Sequence, residues 1–284
     1  MSILIADSGA TTAEWALITD DSPAQLITTT GINPVHQHDE TIQRIIADEL
    51  CPVMRKIQPR HIYFYGAGCI GDKTNQRLTA LLTDYFPNAV IDIASDLLGA
   101  ARSLCCHEEG IAGILGTGAN SCHYDGNCIV NNIPPLGYIL GDEGSGAAMG
   151  KEFLRRLLRN ELDPQIARDF YTEYETDYTH LIDRIYRQPA AANRYLASLS
   201  PFIAAHIGHG DIYAIVHDAL RSYFEHHIMR YDYRRLTVHL TGSVAYHYAD
   251  VIRDVAEEKG IKIGHITATP IEGLTEYHST NNLL

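Results

Sequence analysis

Two short stretches of small and hydroxyl-bearing residues offer the chain's clearest chemistry. Asp7-Ser8-Gly9-Ala10-Thr11-Thr12 follows the apolar run Ile3-Leu4-Ile5-Ala6, and Gly116-Thr117-Gly118-Ala119-Asn120-Ser121 follows Ile111-Ala112-Gly113-Ile114-Leu115. Turns without bulky side chains let backbone N–H groups and hydroxyls approach an anion closely. Two of them, in two halves of one chain, suggest nucleotide phosphates gripped from both sides of a cleft. In the first turn, Asp7 is suited to reach magnesium through water, and Thr11 with the turn's N–H groups is suited to phosphate. The plain alternative is an ordinary hairpin with small turn residues.

A second acidic residue, Asp96, follows the apolar segment Val90–Ala94 and stands at a helix start behind Ser95. Strand ends in parallel sheets face the ligand crevice. Asp96 can therefore orient a substrate hydroxyl and accept its proton; the competing reading is a first-turn Asp that only satisfies helix N–H groups. Phosphoryl transfer asks little of a base beyond alignment. In Gly141-Asp142-Glu143-Gly144-Ser145-Gly146, Asp142 or Glu143 could accept hydrogen bonds from a polyhydroxylated ligand, or simply complement a helix dipole. Thr241-Gly242-Ser243 opens a helix after a strand, a place where a nucleoside can lie but also the default chemistry of a βα loop. Gly66–Thr74 nearly matches a P-loop, but Asp72 separates Gly71 from Lys73 and puts negative charge where phosphate would sit. Gly66-Ala67-Gly68 more plainly lets backbone approach a ligand.

The elements that must position these residues alternate in type. Ser2–Asp7, Thr12–Thr19 and Gln25–Thr30 read as a three-strand meander, then Thr41–Leu50 as a helix and His61–Tyr65 as a strand. A helix at Asn75–Phe86, a strand at Ala89–Ala94 and the helix from Ser95-Asp96 complete a mostly parallel α/β pattern. The pattern restarts with strands at 111–116, 120–124 and 127–131 and a loop at Asn132–Gly141. A helical block covers roughly 145–230, and its clearest helix is expected to open after a capping Asp211. Then come a strand at Leu236–Leu240, a helix at Val244–Lys259, a strand at Lys262–Ile266 and a last helix at Pro270–His278. The expected division is residues 1–104 and 105–269, with 270–284 returning to the first domain.

Composition narrows the function. The chain has 284 residues, enough for two domains, and a formal net charge of -13. A general nucleic-acid or anionic-membrane binder needs a basic face, so neither partner is expected. The six cysteines form no C-x-x-C pair and no zinc spacing, and they fit a reduced, cytoplasmic protein. The N-terminus reads as a strand rather than a signal peptide, and no apolar run approaches a membrane span. His206-x-x-His209 reads as solvated helix ends rather than a metal site.

Taken together, the chain resembles the acetate/sugar kinase, Hsp70 and actin superfamily, and within it the N-acetylglucosamine-kinase-like branch grouped with the BadF/BadG/BcrA/BcrD ATPases. Asp7–Thr11, Gly31-Ile32-Asn33-Pro34, Ser95-Asp96-x-x-Gly99-Ala100, Gly116–Asn120, Gly141–Ser145 and Gly242-Ser243-Val244 carry the resemblance along nearly the whole chain. It implies two ribonuclease-H-like domains that close around ligand and exclude water, with ATP and Mg2+ as cofactors. Ser8, Gly9, Ala10, Thr11, Thr12, Gly116, Thr117, Gly118, Gly242 and Ser243 would bind ATP, with Asp7 near the metal. Asn33, Gly68, Asn120, Gly137 and Asp142 would meet the amino sugar, and Asp96 would be the base at its 6-hydroxyl. The partner implied is a small sugar; a homodimer is allowed. Two positions depart from the family: Thr12 stands where Lys or Arg is frequent, and Leu136 where Gly-Trp often precedes the acidic loop. The first puts phosphate affinity in question and the second the identity of the sugar. An ATPase that activates an electron-transfer dehydratase, and a non-catalytic sugar or nucleotide sensor, are the alternative readings.

Overall fold

The computed structural model describes residues 2–9, 11–20, 22–54, 57–188 and 191–281. The chain divides into two compact units, Met1–Glu108 with Gly126–Ile129 and Thr269–Leu284, and Glu109–Asp125 with Val130–Ala268.

The first unit is built on β1 (Ser2–Ser8), β2 (Thr12–Thr19), β3 (Ser22–Thr30), β4 (His61–Gly66) and β5 (Val90–Ser95), in the sheet order β3-β2-β1-β4-β5. β1 runs antiparallel to β2 and parallel to β4. Ile3-Leu4-Ile5-Ala6 is wholly buried because both faces of the strand are covered. Leu4 and Ala6 join Trp15, Leu17 and Phe64 on one face, while Ile3 and Ile5 join Ala16 and Tyr65 on the other. Trp15 meets Phe64 edge-on at 5.7 Å, and its indole N–H donates to Thr29 Oγ1 at 2.9 Å. The helices are α1 (Asp39–Arg44), continued by a π turn at Ile45–Leu50, then α2 (Asp72–Tyr85) and α3 (Asp96–Cys105). That π turn was expected as plain helix; in it Glu49 accepts from Thr30 N at 2.6 Å and Thr30 Oγ1 at 3.0 Å.

The second unit repeats the plan. β6 (Gly110–Leu115), β7 (Ala119–Tyr124), β8 (Ile129–Asn132), β9 (Val238–Thr241) and β10 (Ile263–Thr267) lie in the order β8-β7-β6-β9-β10. Substituting β6–β10 for β1–β5 reproduces the first sheet. Between β8 and β9 lie α4 (Gly137–Leu140), α5 (Gly146–Leu158), α6 (Pro164–Tyr174), α7 (Tyr178–Tyr186), α8 (Ala192–Ala197), α9 (Ser200–Ala205) and α10 (Gly210–His226). One apolar stripe of α10, Ile212, Ile215, Val216, Leu220, Tyr223 and Phe224, enters the core. Asp211 is not its cap. The His209 ring accepts from Asp211 N at 3.2 Å, and the Asp211 carboxylate instead accepts from Asp163 N at 2.8 Å. The helix expected over Val244–Lys259 is two, α11 (Ser243–His247) and α12 (Ala249–Lys259), broken at Tyr248. The last helix, α13 (Ile271–Asn281), returns to the first unit, where Ile271 and Leu274 pack on Ile3, Ile5 and Tyr65. Among the described residues no helix is long and apolar enough to cross a membrane.

Candidate active site

Asp7 lies one residue from the end of β1, opposite Tyr65 of β4, which in turn pairs with Ala94 of β5. Asp96 begins α3 directly beyond β5. Both carboxylates therefore stand at the C-terminal ends of parallel strands, where open α/β sheets bind ligands. The sequence reason for α3 starting there is Ser95, whose hydroxyl accepts from Leu98 N at 3.2 Å. Its seating depends on Gly99, since a Cβ there would lie 2.8 Å from Tyr65 Cβ. Asp96 Oδ1 accepts from Leu97 N at 2.8 Å, while no described group donates to Oδ2. Burial raises the Asp96 pKa above the ordinary carboxylate range, opposed by hydrogen bonds from the Leu97 and Asp96 N–H groups. Asp7 is pushed up to about 7, first by burial, then by the charges of Asp96 and Glu14. Glu14 faces Asp7 across the β1–β2 pair, and its Oε2 is buried without a partner.

Such a concentration of unneutralised carboxylate is the environment in which a cation is stabilising. Among the described residues no group of three or more His, Cys, Asp or Glu could itself hold a metal ion. The donor set suits a magnesium ion that keeps most of its waters rather than a protein-only cage, with Asp7 the residue that would hold it.

The first turn is tightly made. Gly9 N donates to Thr12 O at 3.0 Å, and Gly31 N to Thr11 O at 2.9 Å. A Cβ on Gly31 would fall 2.4 Å from Gly9 O. Ser8 is fully buried; its hydroxyl donates to Ile32 O at 3.0 Å and accepts from Ile32 N at 2.8 Å, so it braces the turn and has no side-chain atom for a ligand. Thr11 and Thr12 are exposed, and Ala10 lies outside the described residues. Ile32 leads into Asn33, whose Oδ1 accepts from Val35 N at 3.0 Å. Gly68, with φ +88°, passes so close that a Cβ would sit 2.6 Å from Asn33 Oδ1. Asp7, Asp96, the first turn, Asn33 and Gly68 are thus all carried by the first unit.

In the second unit, Gly116 N donates to Gly118 O at 2.9 Å. The carbonyls of Gly116 and Thr117 accept from Gly146 N at 2.8 Å and Ala147 N at 3.2 Å, so the turn caps α5 together with the Ser145 hydroxyl, which accepts from Ala148 N at 3.1 Å. The acidic loop folds over the turn. Asp142 N donates to Pro135 O at 2.9 Å and Gly141 N to Gly137 O at 2.8 Å. Asp142 is buried, with φ 56°, and its Oδ1 accepts a long 3.4 Å bond from Ala119 N. Burial raises its pKa too. Gly242 has φ +111°, and a Cβ there would lie 2.3 Å from Leu115 O. That close approach sets Ser243 beside the turn. Gly116, Thr117, Gly118, Asn120, Gly137, Asp142, Gly242 and Ser243 therefore gather in one unit. A cavity of about 460 Å³ joins Gly116, Thr117 and Ser243 to Ser200, His247 and Tyr248. Sequence reasoning missed these last three: they come from α9, α11 and the break beyond it, brought together only by folding, and no motif marks them.

Compared with known proteins, the chain matches no protein-family profile and no curated protein. Among solved structures, a candidate N-acetylglucosamine kinase from Porphyromonas gingivalis is 39% identical, covers 99% of each chain and superposes with a TM-score of 0.94. The chain belongs to the N-acetylglucosamine-kinase-like family of ATP-dependent sugar kinases. A second candidate N-acetylglucosamine kinase, from Chromobacterium violaceum, is 16% identical over 97% of this chain and 98% of its own, with a TM-score of 0.76. A glucokinase from Streptomyces griseus in complex with glucose and AMPPNP is 12% identical over 98% of both chains, with a TM-score of 0.59. These two share the fold. Each unit of the present chain is a ribonuclease-H-like domain of the actin-like ATPase type, as the family membership and the repeated sheet order require.

Proposed function

We propose that the chain transfers the γ-phosphoryl group of ATP to a hydroxyl of an amino sugar, with N-acetylglucosamine at its 6-hydroxyl as the substrate. The carrying observation is Asp96: a half-buried carboxylate beyond a parallel strand end, one oxygen occupied by Leu97 N–H and no described donor on the other. A raised pKa makes that oxygen a better proton acceptor than an ordinary aspartate. In the reaction the sugar oxygen attacks the γ-phosphorus, its proton passes to Asp96, and the bond to the bridging oxygen breaks to release ADP. Thr11, Thr12 and the N–H groups of Thr117 and Gly118 hold phosphate. Gly242 and Ser243 border the nucleoside, and Asn33, Asn120 and Asp142 hold the sugar, with Gly68 and Gly137 giving it room. Magnesium, bound with the nucleotide near Asp7, supplies charge neutralisation at the phosphoryl oxygens.

The test is Asp96→Asn, which keeps an oxygen for Leu97 N–H and leaves the Ser95 cap intact. A coupled ADP-release assay over a panel of hexoses, with NMR to locate the phosphate, should show wild-type turnover on N-acetylglucosamine. The variant should lose about 10²–10⁴ in kcat, equivalent to roughly 3–5 kcal/mol of barrier. Near-native turnover in the variant removes Asp96 from this role.

A further inference from the structure

The carboxamide of Asn120 is held in one orientation by groups that cannot accept its inverse. Its Oδ1 receives the Ser121 backbone N–H at 2.9 Å. An N–H can only donate, so the atom facing it must be the oxygen, and the assignment follows from chemistry alone. The same Oδ1 accepts from Asn132 Nδ2 at 3.0 Å. Asn132 is fixed by the reverse logic: its Nδ2 also faces Ser121 O at 2.7 Å and Ile133 O at 3.3 Å, and carbonyls only accept. The Asn120 oxygen is thus engaged twice, and no described group takes its Nδ2 hydrogens. Asn33 is set the same way, its oxygen receiving Val35 N–H at 3.0 Å.

We propose that Asn132 is a positioning residue for the sugar: it locks Asn120 as an obligate hydrogen-bond donor, so the ligand group meeting Asn120 is an acceptor, a hydroxyl or acyl oxygen, and not a protonated amine. This rests on the reading that Asn120 faces the sugar. Without Asn132 the carboxamide keeps only the Ser121 bond, and more of the bound geometry must be fixed at the expense of affinity. The loss therefore falls on KM rather than kcat.

The experiment compares wild type, Asn120→Ala, Asn132→Ala and the double variant, by steady-state kinetics with Mg·ATP and by calorimetric titration of N-acetylglucosamine. Asn120→Ala should raise KM more than tenfold, and Asn132→Ala about 5- to 20-fold with kcat changed less than threefold. The double variant should match Asn120→Ala within twofold, because the lock has nothing left to hold. Melting temperature separates this from a merely structural role. Asn132→Ala also drops the bonds to Ser121 O and Ile133 O, so it should lower Tm in both backgrounds, whereas its effect on KM should vanish in the second. Asn120→Asp keeps an oxygen toward Ser121 and Asn132 while turning an oxygen outward, and should raise KM at least as far as Asn120→Ala. Multiplicative KM effects in the double variant, or an unchanged KM in Asn132→Ala, overturn the lock while leaving the kinase reading intact. A wild-type protein that neither binds nor phosphorylates any hexose overturns both.

Discussion

Asp7→Asn should make the protein more stable while making it a worse enzyme. In the folded chain the Asp7 pKa is pushed up to about 7 from 3.8, by burial and by the charges of Asp96 and Glu14. No described group donates a hydrogen bond to its carboxylate. A raised acid pKa means that the native state binds the proton more tightly than the unfolded chain does. The stabilisation from this proton is complete below pH ~4 and is lost as pH rises through ~7. Three pKa units correspond to about 4 kcal/mol. Because Asp96 and Glu14 share the repulsion, we expect about 2–4 kcal/mol for Asp7 alone. Removing the charge should return that amount at pH 8 and almost none at pH 4. The assay is urea unfolding of wild type and Asp7→Asn without nucleotide at both pH values, reading the midpoint at constant slope. The variant's gain should be at least 2 kcal/mol larger at pH 8 than at pH 4, with Mg·ATP-dependent turnover falling at least a hundredfold. An equal gain at both pH values would refute the electrostatic reasoning, and a stability gain with full turnover would refute the placement of Asp7 beside the metal.

Other expectations follow from single contacts. Gly242→Ala places a Cβ 2.3 Å from Leu115 O at φ +111°, which should cost about 2–4 kcal/mol and lower Tm by roughly 5–12 °C in calorimetry; an unchanged Tm would show that the β9–α11 turn is looser than described. Ala204→Phe projects into the cavity beside Ser200 and His247, and should raise the KM for ATP more than tenfold while the affinity for sugar, by titration, changes less than twofold. His278 is buried, its Nε2 2.8 Å from the Tyr65 hydroxyl and its ring stacked 3.7 Å from Tyr63, and burial with the Arg102 charge lowers its pKa to about 4. Its contribution is present above pH ~6.5 and lost as pH falls toward 4, so His278→Phe should narrow the stability difference between pH 7 and pH 4.5; an unaltered difference would place the acid lability elsewhere.

What the sequence disclosed was chemistry that is local to it. Asp96 could be read as a helix start because Ser95 caps within three residues, and Ser2–Asp7 as a strand because its apolar run is short and ends at a small-residue turn. The repeated turn pointed to a repeated sheet, and both sheets carry the same order. What escaped was set by distant partners. Asp211 looks like a cap, but Asp163 N claims its carboxylate and leaves the cap to His209. Val244–Lys259 has continuous helical character, yet Tyr248 turns out of it and donates to Ser200 O at 3.2 Å. Asn132 is an exposed polar residue in a hairpin, and only the fold gives it Asn120 as a neighbour.

The polar groups proposed for the chemistry fall into two physical kinds. The neutral ones proposed to meet ligand are anchored from behind by backbone: Asn33 by Val35 and Asn120 by Ser121. Such groups meet a ligand already oriented, so little ordering remains to oppose binding. The carboxylates Asp7 and Asp96 are treated oppositely. They lie half-buried beside one another, with pKa values raised, and only Asp96 has a described donor on one oxygen. That arrangement weakens the unliganded fold at neutral pH, and in the proposed reaction it would be relieved by a cation at one carboxylate and a transferred proton at the other. The strain sits on the two groups whose charge environment the proposed reaction changes. The neutral groups, whose protonation it leaves alone, are pre-oriented.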